Sequence, residues 1–268
     1  MERLAVKLGG SLITDKGKPM RVRARVVRRL SRELETSWRR GSRLVVVHGG
    51  GSFGHYAVEH EIKEKGKLDV DSVPKISGLM RRLNAIVAES MEELGLPILV
   101  FHPSSSCYFD CERGALECNY EAVVRAFERG HVPLLHGDAV YPVGDCAPMI
   151  LSGDELTMHL ALLTRSELVV FAMDVPGILV PSRGRRERVL RTIQPEELRR
   201  LAKSLGRRIG GVYDVTGGIA AKLEVVAKYI ERGYSGRVLF TTGLKPGNLE
   251  RALTGEPVIG TLLEARRT

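Results

Sequence analysis

Short apolar runs alternate with amphipathic stretches along most of the chain. Residues 4–8 and 44–47 are short apolar runs, which are typical of strands buried in a parallel sheet. Between them, apolar residues recur at helical spacing over residues 22–40, with arginine or glutamate on the opposite side. Gly41 follows that stretch, and we expect it to end the helix. The beginning of the chain therefore predicts a strand, a helix and a second strand.

The same alternation continues to the end of the chain. Further strands are predicted at 97–101, 132–135, 168–172 and 237–241, and helices at 76–94, 119–129, 153–164, 195–204 and 217–232. Runs broken by Gly, Pro and Asp predict hairpins at 105–118 and 138–150, and residues 180–192 predict an exposed basic hairpin or loop. Strands that alternate with helices favour a parallel sheet covered on both faces. We therefore predict an α/β fold, a three-layer αβα sandwich around a central, mostly parallel sheet.

No low-complexity linker and no internal repeat divides the 268 residues. The best candidate for an internal boundary lies near residue 167, before the apolar strand ELVVFAMD. We therefore predict a single domain over residues 1–268, made of two lobes, 1–166 and 167–268, that share one continuous sheet.

The chain carries a net charge of +9, so a polyanionic partner has to be considered. Arginine-rich stretches at 21–29, 183–191 and 199–208 have apolar residues between the charges, and the few aromatic residues do not interleave with them. Surfaces that bind single strands stack bases on aromatic side chains, so a solvated basic surface is favoured over nucleic-acid binding. No signal-peptide pattern and no run of about eighteen apolar residues occurs. We expect no nucleic-acid partner, no membrane association and a cytoplasmic location.

The four cysteines raise the question of a zinc site. Cys107, Cys111 and Cys118 have the spacing C-x3-C-x6-C, with Cys146 further along and His102 just upstream. Structural zinc sites usually contain paired C-x2-C knuckles, which this spacing lacks. Since disulfides are rare in the cytosol, we expect free thiols that are small buried or surface residues.

Glycines cluster in three segments that could approach an anion. KLGGS (Lys7–Ser11) and HGGGSFGH (His48–His55) follow the first two strands, and DVTGGIAAK (Asp214–Lys222) leads into a predicted helix. Glycine lets backbone amides approach a phosphate, and a following helix N-terminus adds partial positive charge. Parallel strands deliver their C-terminal loops to one edge of the sheet. The first two loops therefore predict a shared crevice that holds two phosphate groups.

The second glycine loop is not a P-loop. Gly49 and Gly54 have the P-loop separation, but His55 and Tyr56 stand where that pattern has lysine and a hydroxyl residue. The chain also lacks the glycine loop, HRD and DFG segments of protein kinases. The sequence therefore excludes a P-loop and a protein-kinase nucleotide site.

Six segments spread along the chain identify a family. They are KLGGSLITDK, VVVHGGGSFGH, HGD at 136–138, ILSGDE at 150–155, MDVPGI at 173–178 and DVTGGIAAK. Together they resemble the amino acid kinase superfamily and, within it, the isopentenyl phosphate kinases. The resemblance runs from about residue 3 to about residue 261. GSFGH combined with Lys16 and the DVTGG–K segment is its most specific part.

The resemblance implies an ATP-dependent phosphotransferase, with 1–166 as the phosphoryl-acceptor lobe and 167–268 as the nucleotide lobe. Mg²⁺ is expected to accompany ATP, carried by phosphate oxygens and water. Lysines at positions 7, 16 and 222 would neutralise the charge of the moving phosphoryl group. Asp154 would orient lysines, and Asp174 would line the nucleotide side. The expected nucleotide contacts are Lys7, Gly9, Gly10, Ser11, Asp174, Gly177, Gly218 and Lys222.

His55 closes the second glycine loop, where the family recognises the substrate phosphate. A phosphate acceptor is already anionic near neutral pH, so an imidazole that donates a hydrogen bond can hold it without a general base. The resemblance makes isopentenyl phosphate the expected acceptor, and the predicted helix at 76–94 a candidate wall for its apolar chain. The expected catalytic residues are Lys7, Lys16, His55, Asp154 and Lys222, and the expected acceptor contacts are Gly50, Gly51, Gly54, His55 and Gly153.

Two other functions stay open. One is a kinase of the same fold for a different phosphate or phosphonate, such as a fosfomycin-like compound or a nucleoside monophosphate. The other is a nucleotide sensor or nucleic-acid-binding protein without turnover. Relatives commonly form dimers, so a homodimer is expected. Pro176 stands where many relatives carry an acidic residue, which leaves the contacts on the nucleotide side open.

Overall fold

Strands and helices alternate in the computed structural model, which describes residues 1–182, 187–206 and 218–264. The strands are β1 (Arg3–Leu8), β2 (Arg43–His48), β3 (Ile98–Val100), β4 (Cys107–Asp110), β5 (Ala115–Cys118), β6 (Val132–His136), β7 (Asp138–Val143), β8 (Met149–Leu151), β9 (Leu168–Met173), β10 (Leu179–Pro181), β11 (Glu187–Val189), β12 (Thr192–Ile193), β13 (Arg237–Thr242) and β14 (Gly260–Glu264). The helices are α1 (Gly10–Ile13), α2 (Ala24–Arg39), α3 (Gly51–Lys65), α4 (Ser72–Glu92), α5 (Pro103–Ser106), α6 (Glu121–Glu128), α7 (Gly153–Leu163), α8 (Leu198–Gly206), α9 (Ile219–Glu231) and α10 (Asn248–Leu253).

Eight strands form the central sheet in the order β12-β14-β13-β9-β1-β2-β6-β3. Neighbouring strands are parallel, apart from the antiparallel pair of β13 and β14. The last residue of β1, Leu8, is in register with His48 of β2 and with Ala172 of β9. His48 is in turn in register with His136 of β6. The carboxyl ends of these strands therefore meet at one edge, as the glycine loops predict.

Helices cover both faces of this sheet. On one face α2, α4 and α10 contribute buried side chains such as Leu30, Leu83 and Leu249. On the other face α6 to α9 contribute side chains such as Phe127 and Val226. This arrangement confirms the predicted three-layer α/β fold, and it puts adjacent strands from 1–166 (β1) and 167–268 (β9) in one sheet. The functional division into two lobes stays a prediction.

Helix α3 lies outside the elements that the sequence pattern predicts. Its N-cap is Gly50, and Gly51 and Gly54 lie in its first turns, where glycine disfavours a helix. Ala57 and Val58 of α3 are buried in a small apolar cluster with side chains of α4. Tertiary packing therefore stabilises a helix that its own residues specify poorly.

The predicted hairpins at 105–118 and 138–150 are present as β4–β5 and β7–β8, joined by parallel pairing of β4 with β7. The expectation of free thiols is wrong, because Cys107 is bonded to Cys118 and Cys111 to Cys146. Strand pairing places Cys107 directly opposite Cys118. The amide of Cys111 donates to the carbonyl of Val143, which brings it beside the turn that carries Cys146.

The basic segment 180–192 contains the antiparallel pair β10–β11. Its tip, residues 183–186, lies outside the described residues, as do 207–217, which include most of DVTGGIAAK. Within the described part of the chain, no helix combines the length and apolarity needed to cross a membrane.

Candidate active site

The alternation of side chains along β1 decides where Lys7 points. Val6 and Leu8 are buried in the core on the α2 side of the sheet, and Ala5 is buried in the core on the other side. Successive side chains of a strand point to opposite faces, so Lys7 shares the face of Ala5. Helices α7 and α9 cover that face, and they carry Asp154 and Lys222.

Asp154 lies between the two buried lysines and contacts both. Its Oδ1 is 3.0 Å from Nζ of Lys7, and its Oδ2 accepts a hydrogen bond of 2.5 Å from Nζ of Lys222. All three residues are buried, with exposed fractions of 7–8%. Asp154 is the second residue of α7, a position where the helix dipole favours an anion. Residues from three distant segments thus form one Lys–Asp–Lys cluster.

Charge and burial act against each other in this cluster. Burial by itself would raise the pKa of Asp154, but the ammonium groups of Lys222 and Lys7 outweigh it and hold that pKa below its usual value. Burial lowers the pKa of Lys222 to about 8, although Asp154 favours its charged form. The ammonium group also lies 5.1 Å from the ring centroid of Phe171, a favourable contact. Among the described residues, two cations share one anion, so this part of the site has excess positive charge that suits an anionic ligand.

The first two glycine loops touch each other beside Lys7. A Cβ atom at Gly10 would lie 2.2 Å from the backbone nitrogen of Gly51, and one at Gly49 would lie 2.8 Å from that of Gly10. At Gly153, a Cβ atom would lie 3.1 Å from the carbonyl oxygen of His48. Only glycine permits the approach at position 10. The ends of β1 and β2 and the start of α7 therefore meet at the cluster.

Thr14 joins the two loops, although nothing in the sequence pattern singles it out. Its buried hydroxyl donates to the carbonyl of Gly10 at 2.8 Å and accepts from the amide of Ser52 at 2.9 Å. Thr14 lies within KLGGSLITDK but is not among the expected site residues, and its residue type gives no signal for this link, so only the structure reveals it.

Lys16 forms a second, more exposed ion pair. Its Nζ lies 3.1 Å from Oδ2 of Asp174, and the two side chains are 70% and 28% exposed. Burial opposes ionisation of Asp174, but hydrogen bonds and charge from Lys16 and a hydrogen bond from Ser11 hold its pKa below the usual value. Asp174 directly follows β9. The pair therefore connects the loop after β1 with the loop after β9.

The remaining glycines expected at the nucleotide lie in the same region of the fold. The amide of Gly9 donates to the carbonyl of Ala172 at 2.8 Å, which ties the first loop to β9. Gly177 lies in the turn after β9 with φ of +152°, where glycine is favoured. Gly218 caps α9 one turn before Lys222. Contact of any of these residues with a nucleotide stays a prediction.

His55 lies near the start of α3 and is partly exposed. Within the described residues, its side chain has no hydrogen bond or ion pair, so it is available to a ligand. A Cβ atom at Gly50 or Gly54 would lie 3.2 or 3.4 Å from the sulfur of Met80. Helix α4 therefore packs directly against the second glycine loop.

Helix α4, the candidate wall for the apolar chain of the acceptor, carries a stripe of apolar side chains that lie in two different clusters. Ile76 and Met80 are buried in the small cluster with α3, with Leu79 packed against it. Leu83 belongs instead to the core on the α2 side, and Ile86 is 38% exposed. Only the first half of the stripe can therefore face the acceptor side.

Three histidines form a row behind the second loop. The rings of His48 and His136 have centroids 5.5 Å apart, and Nε2 of His136 is 2.9 Å from Nδ1 of His102. Nε2 of His48 lies 2.9 Å from Oδ1 of Asn84. Burial lowers the pKa of His48 to about 3 and that of His136 to about 4. Both are neutral near pH 7, so they support the crevice without adding charge to it.

The comparisons with known proteins agree with this geometry. The sequence model of the amino acid kinase family matches residues 2–239. An isopentenyl phosphate kinase of Methanocaldococcus jannaschii is 28% identical over 97% of both chains, and one of Haloferax volcanii is 34% identical over 94% of this chain and 99% of its own. A uridylate kinase of Thermofilum pendens is 27% identical over 97% of both chains.

The solved structures show the same fold. A substrate complex of isopentenyl phosphate kinase has a TM-score of 0.73 at 25% identity, and the match covers 97% of this chain and 100% of that chain. UMP kinase from Bacillus anthracis has a TM-score of 0.67 at 16% identity over 99% and 97%. The resemblance that the sequence motifs predict, including that to isopentenyl phosphate kinases, is confirmed. The chain belongs to the amino acid kinase family.

Proposed function

We propose that this kinase transfers the γ-phosphoryl group of ATP to isopentenyl phosphate and forms isopentenyl diphosphate and ADP. The observation that carries the chemistry is the carboxylate of Asp154 held between the buried ammonium groups of Lys7 and Lys222. The choice of acceptor is supported by the end-to-end similarity to isopentenyl phosphate kinases.

The lysine cluster supplies what phosphoryl transfer requires of a protein. That reaction needs positioning of the reactants and stabilisation of the charge on the moving group. Lys7 and Lys222 are fixed by one carboxylate before any ligand arrives, so their charges need little reorganisation during the reaction. Lys16, held at the more exposed Asp174, would add a third positive charge from the solvent side. The glycines beside Lys7 leave the backbone open to phosphate oxygens.

The residues around the cluster suit a magnesium ion that arrives with the nucleotide. Within the described ranges, no group of three or more His, Cys, Asp or Glu side chains is placed to hold a metal. Mg²⁺ commonly keeps several waters and binds through substrate phosphates. We therefore assign the ion to phosphate oxygens and water, with a protein carboxylate as at most an outer partner.

The acceptor side is the start of α3. The helix N-terminus favours a phosphate, and His55 lies one turn further on with an imidazole that has no hydrogen bond or ion pair to any described residue. The apolar chain of the acceptor would lie toward Ile76 and Met80. Because the acceptor oxygen is already anionic, His55 needs only to hold and orient the phosphate.

A nucleoside monophosphate is the second candidate acceptor, since a uridylate kinase is 27% identical over nearly the whole chain. ADP release measured with isopentenyl phosphate, UMP and a fosfomycin-like phosphonate at equal concentrations separates the candidates. We expect the highest kcat/KM with isopentenyl phosphate. A preference for UMP would overturn the proposed acceptor and leave the lysine chemistry in place.

His55→Ala tests the acceptor contact directly. A hydrogen bond to a charged group contributes about 1.5–3 kcal/mol, so kcat/KM for the monophosphate should fall about 10- to 150-fold. Binding of ATP alone should be nearly unchanged. His60→Ala is a matched control, because the His60 side chain is about half exposed on the same helix. Turnover near that of the unaltered enzyme in His55→Ala would remove His55 from the site.

We also propose a homodimer that works in the cytoplasm. The edge strand β3 exposes Leu99 and Val100, at 41% and 38%, and a second copy could cover this edge. Sedimentation of Leu99→Lys against the unaltered chain tests that contact, and a shift toward monomer is expected. Disulfides inside cells are characteristic of hyperthermophiles, so the two bonds are compatible with a cytoplasmic enzyme of a heat-adapted source.

A further inference from the structure

Four arginines form a continuous cationic strip on the outer side of α2 and the segment before it: Arg21, Arg25, Arg28 and Arg32. All four are exposed. Residues three, four and seven apart lie on one face of a helix, so the three members within α2 project from the same side. Within the part of the chain that the structure describes, none of the four has a hydrogen bond or ion pair through its side chain.

The stability of α2 does not account for this strip. Cations in the first turns oppose the helix dipole, and the first turn of α2 contains no acidic residue. Like charges three and four residues apart repel each other. The acidic side chains of α2 are engaged elsewhere: Glu33 pairs with Arg29, and Glu35 pairs with Arg39. The strip therefore weakens the helix, and its placement calls for another reason.

The strip begins at the loop that carries Lys16. The amide of Asp15 donates to the carbonyl of Arg21 at 2.9 Å, and Thr14 forms a β-bridge with Val22. These contacts hold Arg21 against the segment that reaches Asp174 through Lys16. The strip thus adjoins the positively charged Lys16 at the entrance to the crevice.

A second contact ties the middle of the strip to the same edge of the sheet. The guanidinium of Arg29 donates to the carbonyl of Gly243, just after β13. The last residue of β13, Thr242, is in register with Met173, which immediately precedes Asp174. Arg29 follows Arg28 directly and lies between Arg25 and Arg32 in α2, so its contact holds this part of the helix beside the loop after β13, on the proposed nucleotide side.

We propose that this strip attracts nucleoside triphosphates and raises the rate at which they reach the crevice beside Lys16 and Asp174. The inference rests on the proposed ATP-dependent function. A row of like charges that leads to a site increases the association rate of an oppositely charged ligand, and salt weakens the effect. At about 0.1 M salt the screening length is about 10 Å. The strip starts beside Lys16 and extends about 10 Å along α2 from Arg25 to Arg32, so it acts most strongly at low ionic strength.

Stopped-flow association of mant-ATP, a fluorescent ATP analogue, measures the effect without an acceptor. In the triple variant Arg25→Gln, Arg28→Gln and Arg32→Gln, the association rate constant should fall about 3- to 10-fold at low ionic strength. The dissociation rate constant should change less. The association rate constants of the variant and the unaltered protein should converge as salt is added.

A matched triple variant controls for net charge. Arg129, Arg165 and Arg237 are also exposed, and they lie near the amino ends of β6, β9 and β13, at the opposite edge of the sheet. Their replacement by glutamine removes the same charge and should change association less than twofold. The strip variant should also keep or raise the melting temperature, since it relieves repulsion within α2.

Three outcomes would contradict the proposal. Equal association of the strip variant and the unaltered protein at low salt would overturn it, and so would equal losses in both triple variants. In either case nucleotide binding and turnover would persist, and the proposed kinase function would stand. Failure of the unaltered protein to bind mant-ATP would instead overturn the ATP-dependent function together with this inference.

Discussion

Replacing Asp154 with asparagine perturbs the cluster with little change in shape. The variant would leave the ammonium groups of Lys7 and Lys222, 3.0 and 2.5 Å from the carboxylate oxygens, without a buried counter-charge. Removing one partner of a buried ion pair costs about 3–5 kcal/mol. Lys222 can reduce this loss by releasing its proton, because burial has already lowered its pKa to about 8 with Asp154 present. We expect the free energy of unfolding at pH 7 to fall by about 3 kcal/mol.

Activity should fall further than the loss of stability alone explains. A neutral or displaced Lys222 no longer stabilises the charge of the moving phosphoryl group, and loss of one such contact typically costs about 10²–10³ in kcat. Urea unfolding measures the stability change, and a coupled ADP-release assay, run well below the midpoint of thermal unfolding, measures kcat.

Asp174→Asn is the matched comparison for stability, since it removes the same charge from the other Lys–Asp pair. Its partner Lys16 is 70% exposed, and exposed pairs contribute about 0–1 kcal/mol. Equal, small losses of stability in both variants would refute the reasoning about burial. Turnover of Asp154→Asn within tenfold of the unaltered enzyme would refute the assigned role of the cluster.

Three further predictions concern ionisation, packing and crosslinking. kcat/KM for ATP should fall as the pH rises through about 8, because Lys222 loses its positive charge there. In Lys222→Arg this decrease at alkaline pH should disappear, since arginine stays protonated. Gly10→Ala should lower the free energy of unfolding, measured by urea titration, by about 1–3 kcal/mol through overpacking, because its Cβ atom would lie 2.2 Å from a backbone nitrogen. Gly17→Ala is the control and should be nearly neutral in the same titration, because the nearest atom to its Cβ would be 3.6 Å away. Replacing Cys111 and Cys146 by serine opens a loop between residues 35 apart in sequence, which should cost about 4 kcal/mol by the chain-entropy estimate; no loss under non-reducing conditions would show that this pair is not bonded in solution.

The sequence predicts the inner strands of the central sheet because they are buried on both faces, whereas it misses β12 and β14 near one edge. Strands β1, β2, β9 and β13 read as short apolar runs, and their parallel order follows from the helices between them. Helix α3 escapes prediction because glycines occupy its first turns and its apolar contacts come from α4. The disulfides could not be predicted for a related reason, since strand pairing and not spacing in sequence brings Cys107 to Cys118.

The candidate site is specified in two steps. Motifs single out Lys7, Asp154 and Lys222 as separate residues, each beside a glycine-rich segment. That one carboxylate contacts both lysines depends on α7 and α9 covering the same face of β1 as the Lys7 side chain. The link through Thr14 depends on the packing of two loops. Residue type and motif thus indicate the chemistry, and only tertiary packing supplies the geometry.

The most direct measurement is the fate of a labelled phosphoryl group. The purified protein is incubated with Mg²⁺, ATP labelled at the γ-phosphate and isopentenyl phosphate, and the products are separated. We predict label in isopentenyl diphosphate, with one ADP formed for each labelled product. Label in inorganic phosphate alone, or transfer to UMP with none to isopentenyl phosphate, would contradict the proposed function.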